Sequence, residues 1–432
     1  MADVHPVAEP TSTRAAGVPD ASVLHPRGTA DPLPTRTVDV AVVGGGCSGL
    51  AVALELADRA ADLDVVVLEG RSRPDHRVWC SWDDGSDPAP EARSASWDRW
   101  EVRTRRGTST GADPTHPYRM VRAVDRRAAV DRRLEGRSRV TVVDGAPVHD
   151  VHQAQDGRHV LRSGRGTLRA RQVVDAAGTG DADPVGGTVL LHQRFVGLWI
   201  ETVRPVFDPS TVTLMDFTDV PTDQVRFVYV LPVSPTVALV ESTVFTSDRH
   251  ARVDFRGYVR DYVRRRWGLR PEEWTVTGTE SGCVPMTDAM PRDPSSADGT
   301  RAVVAGVVRP SSGYGYARAH RHARVVVDHL LAGTPVPPFR DRARTRALDA
   351  VFLRFLRDRP DAAPEAFRRL FTLPGPLVVH FLTERSTLVD ELRVVLVLPK
   401  APFIAAAVRT LRERLAARWA TSRARSRQAA MT

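Results

Sequence analysis

The hydrophobic period of the chain changes twice between Val38 and Glu69. Val38-Asp39-Val40-Ala41-Val42-Val43 is a short apolar run suited to a buried parallel strand. The loop Gly44-Gly45-Gly46-Cys47-Ser48-Gly49 follows at once, and Leu50, Leu54 and Leu56 then recur at helical spacing. Asp64-Val65-Val66-Val67-Leu68 returns to a strand pattern and stops at Glu69. Strand, glycine turn, helix and strand make a β-α-β unit.

Residues 75–115 are polar and predict a loop, interrupted by Trp79, Trp82, Trp97 and Trp100. A helix is expected from about Val124 to Leu134, with strands at Val140–Val143 and His159–Arg162. Gln172-Val173-Val174-Asp175-Ala176-Ala177-Gly178 predicts a buried strand that ends in a small-residue turn, where backbone can approach a ligand closely. Gly197–Thr202, Thr211–Met215, Val225–Leu231 and Val237–Val240 fit strands of an antiparallel sheet. An apolar strand resumes at Arg301–Gly306, Tyr316–Leu331 is helical, and the helical pattern after Pro338 lasts to the end. The expected fold is α/β: a Rossmann-type nucleotide-binding domain at 38–189 and 285–335, a substrate sheet at 190–284 inserted in it, and a helical C-terminal region at 336–432. Residues 1–37, rich in Ala, Pro, Thr and Asp, are expected to be a disordered leader.

Composition narrows the function classes. The formal charge of +9 comes almost wholly from Arg, and no basic-aromatic module of a nucleic-acid-binding kind accompanies it. Cys47, Cys80 and Cys283 have no CxxC spacing, which argues against a disulfide framework or a zinc site and favours a reducing cytoplasm. No run of about 18 apolar residues is present, so any membrane contact is expected to be peripheral. Near the C-terminus Val408, Leu411, Leu415 and Trp419 form an apolar helical stripe flanked by Arg409, Arg412, Arg414 and Arg418. Such a stripe suits an anionic membrane surface or the body of the protein itself. Nothing in the sequence sets an oligomeric state.

Three places carry candidate chemistry. In the glycine loop, Gly44 permits a tight turn, Gly46 lets amides reach a pyrophosphate, and Gly49 allows close helix-sheet packing. Gly45 and Ser48 complete the cradle, and Glu69 suits a ribose with a free 2′-hydroxyl. Next, Asp216 and Glu241 each stand at or near the end of an apolar run, either projecting into an apolar cavity or facing solvent. Paired in a cavity, two carboxyls would raise one another's affinity for a proton and create a neutral acid. Last, Arg309-Pro310-Ser311-Ser312-Gly313-Tyr314-Gly315-Tyr316 is a turn before a helix, placed to cap that helix or to aim its N-terminus at the cofactor.

In order along Val38–Ala407, these and further segments resemble the FAD-dependent lycopene cyclases of bacteria and plants. The similar segments include Asp39–Gly46 with Gly49, Val78-Trp79-Cys80-Ser81-Trp82, Val173–Gly178, Gln193–Gly197, Met215-Asp216-Phe217 and Phe227–Pro232. Val240–Phe245, Glu280–Met286, Pro310–Tyr314, Leu348–Leu353 and His380-Phe381-Leu382 continue the series. The resemblance implies a flavoprotein that closes the linear ψ ends of lycopene into β-ionone rings without net oxidation. It also implies FAD in its reduced form, NAD(P)H as the reductant, and cofactor contacts at Gly178, Gly306, Gly313 and Tyr314. Glu241 would protonate the terminal alkene, and the ring proton would leave to Asp216 or return to Glu241. The chain departs from the family pattern at Ala177, where an arginine is usual, at Ser242, where related versions carry a second acid, and in the sparse glycines of Val304–Val308. Flavin hydroxylases, epoxidases and prenyl reductases share such a fold, and a cyclase of another polyprenyl chain fits the same residues.

Overall fold

The computed structural model describes residues 33, 37–73, 76–136, 139–177, 188–221, 223–289, 300–304 and 307–429. The expected leader lies outside them except for Leu33 and Thr37.

The chain begins with β1 (Thr37–Val43), α1 (Cys47–Arg59) and β2 (Val65–Leu68). Four short strands follow: β3 (Val78–Trp82), β4 (Ala95–Trp97), β5 (Arg99–Thr104) and β6 (Gly107–Ala112). Next come β7 (Tyr118–Arg122), α2 (Ala123–Leu134), β8 (Val140–Val143), β9 (Val148–Gln153), β10 (His159–Ser163) and β11 (Gly166–Asp175). Long strands β12 (Leu190–Thr202), β13 (Thr211–Asp216), β14 (Val225–Pro232) and β15 (Val237–Thr246) lead to α3 (Phe255–Trp267), β16 (Trp274–Thr287), β17 (Arg301–Val303) and α4 (Tyr316–Ala332). The C-terminal region is α5 (Ala343–Asp358), α6 (Ala363–Leu370), α7 (Gly375–Leu382), α8 (Leu388–Val397) and α9 (Lys400–Ala429).

The first sheet runs β8-β2-β1-β11-β10-β9, with β17 also on β11. Its central strands are parallel, as burial on both faces demands. Helices α1 and α4 close one face through Ala51, Val52 and Leu56 against Ala319, Ala323, Val326 and Val327. Both helices therefore start at the same edge of the sheet as the glycine loop.

The second sheet, β16-β12-β15-β14-β13-β5-β6, is antiparallel except where β13 meets β5. Two of its strands come from within 75–115, the segment expected to be a loop, and β3-β7-β4 form a third small sheet. The polarity of that segment misleads because β6 is an edge strand that, among the described residues, pairs with β5 alone. In β5 the alternation is intact, with Trp100, Val102 and Thr104 buried. Trp100 meets Trp82 edge-on, their ring centroids 4.6 Å apart. Strand β16, which the sequence pattern also left unassigned, forms the other edge of this sheet.

One face of the second sheet is covered by α3 and the other by the C-terminal helices. There Phe355 of α5 stacks on Phe403 of α9 at 4.2 Å. The outer surface of α8 and α9 stays apolar: Leu388, Val389, Leu392, Leu396, Ile404, Leu411 and Trp419 are all exposed. The stripe at Val408, Leu411, Leu415 and Trp419 thus does not pack on the body of the protein. Among the described residues no single helix is long and apolar enough to cross a membrane, and α8 with α9 pass that test only as a pair bent by 118°.

Candidate active site

Gly44 has φ +95°, and a Cβ there would lie 2.8 Å from the Ala176 carbonyl oxygen. A Cβ on Gly49 would stand 1.9 Å from the Gly44 carbonyl oxygen, so the turn closes only with glycine at both places. Gly46 caps α1 with no side chain over the helix end, and a Cβ on it would meet nothing within 4 Å. The first-turn amides of α1 thus face open space beside Cys47 and Ser48, which line the main cavity. Glu69 is fixed against the loop: Gly45 N–H donates to its Oε2 at 2.7 Å and Arg71 N–H to its Oε1 at 2.8 Å.

The turn 309–315 brings a second helix end to the same cavity. Gly315 caps α4 without a side-chain bond, and Gly313, Tyr314 and Gly315 line the space. Arg309 anchors the turn from below, donating from Nη1 to the Phe381 carbonyl at 2.7 Å and pairing with Asp349 at 3.3 Å. Ser311 Oγ donates to the same Asp349 Oδ1 at 2.6 Å. Beside Gly313, Gln193 Oε1 is buried, has no hydrogen-bond partner among the described residues, and lies 2.6 Å from where a Gly313 Cβ would sit. Two uncapped helix ends, an open glycine turn and an orphaned acceptor along one cavity fit an extended dinucleotide such as FAD. Gly178 and Gly306, the other two expected contacts, lie outside the described residues.

The cavity holds about 700 Å³. From the glycine loop it passes over the second sheet, walled by Phe195, Phe227, Phe245, Phe352, Phe371 and Phe381, to Val395 and Ile404 on α8 and α9. Those last two side chains are also exposed, so the cavity reaches the surface between the two helices.

Two carboxylic side chains stand on this apolar wall, Glu241 of β15 and Glu280 of β16, 7% and 6% exposed. Both are directly opposite Gly197 of β12, which lies between their strands. A Cβ on Gly197 would come within 3.0 Å of Glu280 Cγ, so the missing side chain is what lets Glu280 lie across the strand toward Glu241. Burial, the Glu280 carboxylate and a hydrogen bond to it hold Glu241 well above the ordinary carboxylate range, against the pull of the Thr243 hydroxyl. That hydroxyl donates to Glu241 Oε1 at 2.7 Å, while Val78 N–H donates to Glu280 Oε2 at 2.8 Å. The site can therefore keep a neutral acid next to an apolar ligand at neutral pH.

Asp216 is not part of this pair. It faces α3, where Tyr262 Oη donates to it at 2.8 Å, Arg266 Nη1 at 2.5 Å, and Arg103 Nε approaches to 3.0 Å. The cause is a bulge: Thr213 is opposite Val230 and Asp216 opposite Val228, leaving Leu214 and Met215 both across from Tyr229. Strict alternation would have put Asp216 on the other face from Thr213, toward the cavity; the extra residue turns both the same way. Burial opposes the charge, but bonds from Thr218 and the Arg266 guanidinium keep its carboxyl below the ordinary range. It thus faces away from the cavity into which a second acid, as expected for Asp216, would have to project.

Sequence reasoning also passed over a chain of hydroxyls along the cavity. Tyr229 Oη donates to Tyr118 Oη at 2.7 Å, which lies 3.2 Å from Tyr314 Oη. Burial pushes the Tyr314 hydroxyl up to about 12. Tyr118 and Tyr229, like Glu280, come from strands far apart in the chain; the signal available for Tyr229 and Glu280 was their place in the ordered segments similar to the cyclases, which do not include Tyr118.

A family model described as "Lycopene cyclase protein" matches residues 39–408. A lycopene beta-cyclase of a Paracoccus species is 28% identical over 409 residues, covering 88% of this chain and 98% of the relative. Among solved structures, a geranylgeranyl bacteriochlorophyll reductase-like protein from Thermoplasma acidophilum superposes with a TM-score of 0.55 at 14% identity, covering 83% of this chain and 96% of that one. The flavin-dependent monooxygenase PieE, solved in complex with FAD and substrate, gives 0.54 at 15% identity, covering 88% and 72%. On a flavoprotein fold shared with reductases and monooxygenases, the sequence match over nearly the whole chain decides the family: this protein belongs to the lycopene cyclase family of enzymes.

Proposed function

We propose that the protein cyclises the linear ψ ends of lycopene, or of a similar linear carotenoid, to β-ionone rings by acid initiation and without net redox change. The observation that carries this reading is Glu241, buried beside Glu280 on the wall of an apolar cavity continuous with the glycine loop. Glu241 transfers its proton to the inner CH carbon of the terminal alkene, and the tertiary cation left on the dimethyl carbon is closed by the next alkene. The phenyl rings of Phe195, Phe227 and Phe245 keep water from the cation and offer it their π-faces. When bound in its reduced form, with NAD(P)H as the source of electrons, FAD supplies negative charge beside the cation, where a dry cavity makes it most effective. Gly44–Gly49, Glu69 and the turn 309–315 are the residues that would hold it.

The same reading places the protein at the cytoplasmic face of a membrane as a peripheral enzyme. The exposed apolar side chains of α8 and α9 are accompanied by Arg393, Lys400, Arg409 and Arg412, a pattern suited to an anionic lipid surface. The cavity reaches the surface between those two helices, where a polyene dissolved in lipid would arrive.

The test is anaerobic incubation of the purified protein with FAD, NADPH and lycopene in liposomes. A cyclic product of unchanged mass, with NADPH consumed far below one equivalent, is expected. A product heavier by two hydrogens in that incubation, or heavier by an oxygen when it is repeated in air, formed with stoichiometric NADPH, would assign the protein to the prenyl reductases or monooxygenases instead.

A further inference from the structure

Resting on that reading, we propose that Glu280 is the base that removes the ring proton, and that Glu241 and Glu280 act as a pair that passes one proton between them. The assignment comes from how each carboxyl is held. Glu280 accepts a backbone N–H from Val78, a group that can only donate and so favours the ionised form. Among the described residues Glu241 has no backbone donor; its partners are the Thr243 hydroxyl and Glu280. A neutral Glu241 donating to an ionised Glu280 satisfies both, and Asp216 is excluded from the role because it faces α3.

The steps balance with a single proton. The Glu241 O–H bond breaks as the terminal alkene's π pair forms a C–H bond, leaving a tertiary cation. The next alkene's π pair forms the ring C–C bond and moves the cation to a ring carbon. The adjacent ring C–H pair becomes the ring double bond, and its proton passes to the Glu280 carboxylate. The pair now carries the proton on Glu280 instead of Glu241, and transfer along their hydrogen bond restores the starting state. No external acid is consumed, so the two ends of one polyene can be closed in succession. Gly197 is the positioning residue: without it the two carboxyls could not meet over β12.

The experiment uses the full chain with reduced FAD and lycopene in liposomes and compares wild type, Glu280→Gln and Gly197→Ala. Bound flavin serves as the check of folding, and the readout is the identity of the ring formed. Glu280→Gln keeps shape and an acceptor for Val78 but removes the base. It should still consume lycopene, with the share of β rings lowered at least about tenfold in favour of isomers deprotonated elsewhere or water-quenched alcohols. Gly197→Ala, which keeps both acids but separates them, should shift the products the same way and decides the matter if Glu280→Gln loses its flavin. Unchanged β-ring product at within about threefold of the wild-type rate would overturn the assignment. A folded Glu280→Gln that consumes no lycopene would also overturn it, by making Glu280 the donor. An inert wild type would instead bring down the cyclase reading on which it rests.

Discussion

Asp216 and Glu241 lie on opposite faces of one sheet, Asp216 across from Val228 and Glu241 across from the next residue of the same strand, Tyr229. The separation divides their work. Asp216, with a side chain 1% exposed, neutralises Arg266 and Arg103 beneath α3, while Glu241 faces the apolar cavity.

Asp216→Asn should therefore cost stability rather than chemistry. Removing one partner of a buried ion pair costs about 3–5 kcal/mol, less whatever the remaining hydrogen bonds retain. Because the carboxyl is held below its ordinary range, its contribution is present above the unfolded-state value of about 4 and is lost as pH falls through the lowered one. Thermal melts from pH 3 to 7 should show a wild-type decline on the acid side that the variant lacks, with the ring isomer unchanged. Loss of cyclisation at unaltered Tm would return Asp216 to the catalytic group.

Glu241 titrates in the opposite sense. Its proton is bound more tightly in the folded protein, so the stability it brings is complete below the ordinary carboxylate range and is lost as pH rises through the raised value. Activity should decline over the same alkaline limb, since only the neutral acid donates. Replacing Glu241 with Gln should flatten the stability limb and lower turnover by about 10²–10⁴-fold while flavin binding persists. A pH-rate profile and melts on both proteins check it.

The turn at the first helix leaves no room for a methyl group. Gly49→Ala would set a Cβ 1.9 Å from the Gly44 carbonyl oxygen and so deform the loop under α1. The purified variant should carry at most about a tenth of the wild-type flavin, measured by absorbance after denaturation. Gly46→Ala, which meets no protein atom, should instead fold normally and weaken flavin binding only through the ligand's own volume.

Exposed leucines on α8 and α9 should matter for lipid and not for folding. A double variant, Leu392→Glu with Leu411→Glu, adds charge at two exposed positions. It should sediment with anionic vesicles at least about tenfold less than wild type, with Tm unchanged within a few degrees. Turnover of detergent-dispersed lycopene should persist. Equal vesicle binding would place the membrane contact elsewhere.

The parts of the site that were legible in the sequence are the local ones. Gly44, Gly46, Gly49 and Glu69 act within one β-α-β unit, where spacing along the chain determines position in space. Glu280 and Glu241 are 39 residues apart by number and meet only because Gly197 stands between their strands, a matter of sheet register that no local pattern encodes. Asp216 was left open between cavity and solvent by its place at the end of an apolar run and gained a catalytic role only from the resemblance; the bulge at Leu214–Met215 turns it toward α3, and bulges leave little trace in a hydrophobic pattern. The polar strand β6 was read as loop for the converse reason, since an edge strand need not alternate.

The most direct test of the account is solvent deuterium uptake. Enzyme equilibrated in D₂O, with flavin reduced anaerobically and kept in excess over lycopene, should deliver one deuterium to the first ring it closes, and Glu241→Gln should form that product at least about 10²-fold more slowly. A ring formed by the wild type without deuterium, or one formed at full rate by Glu241→Gln, would contradict proton donation from Glu241.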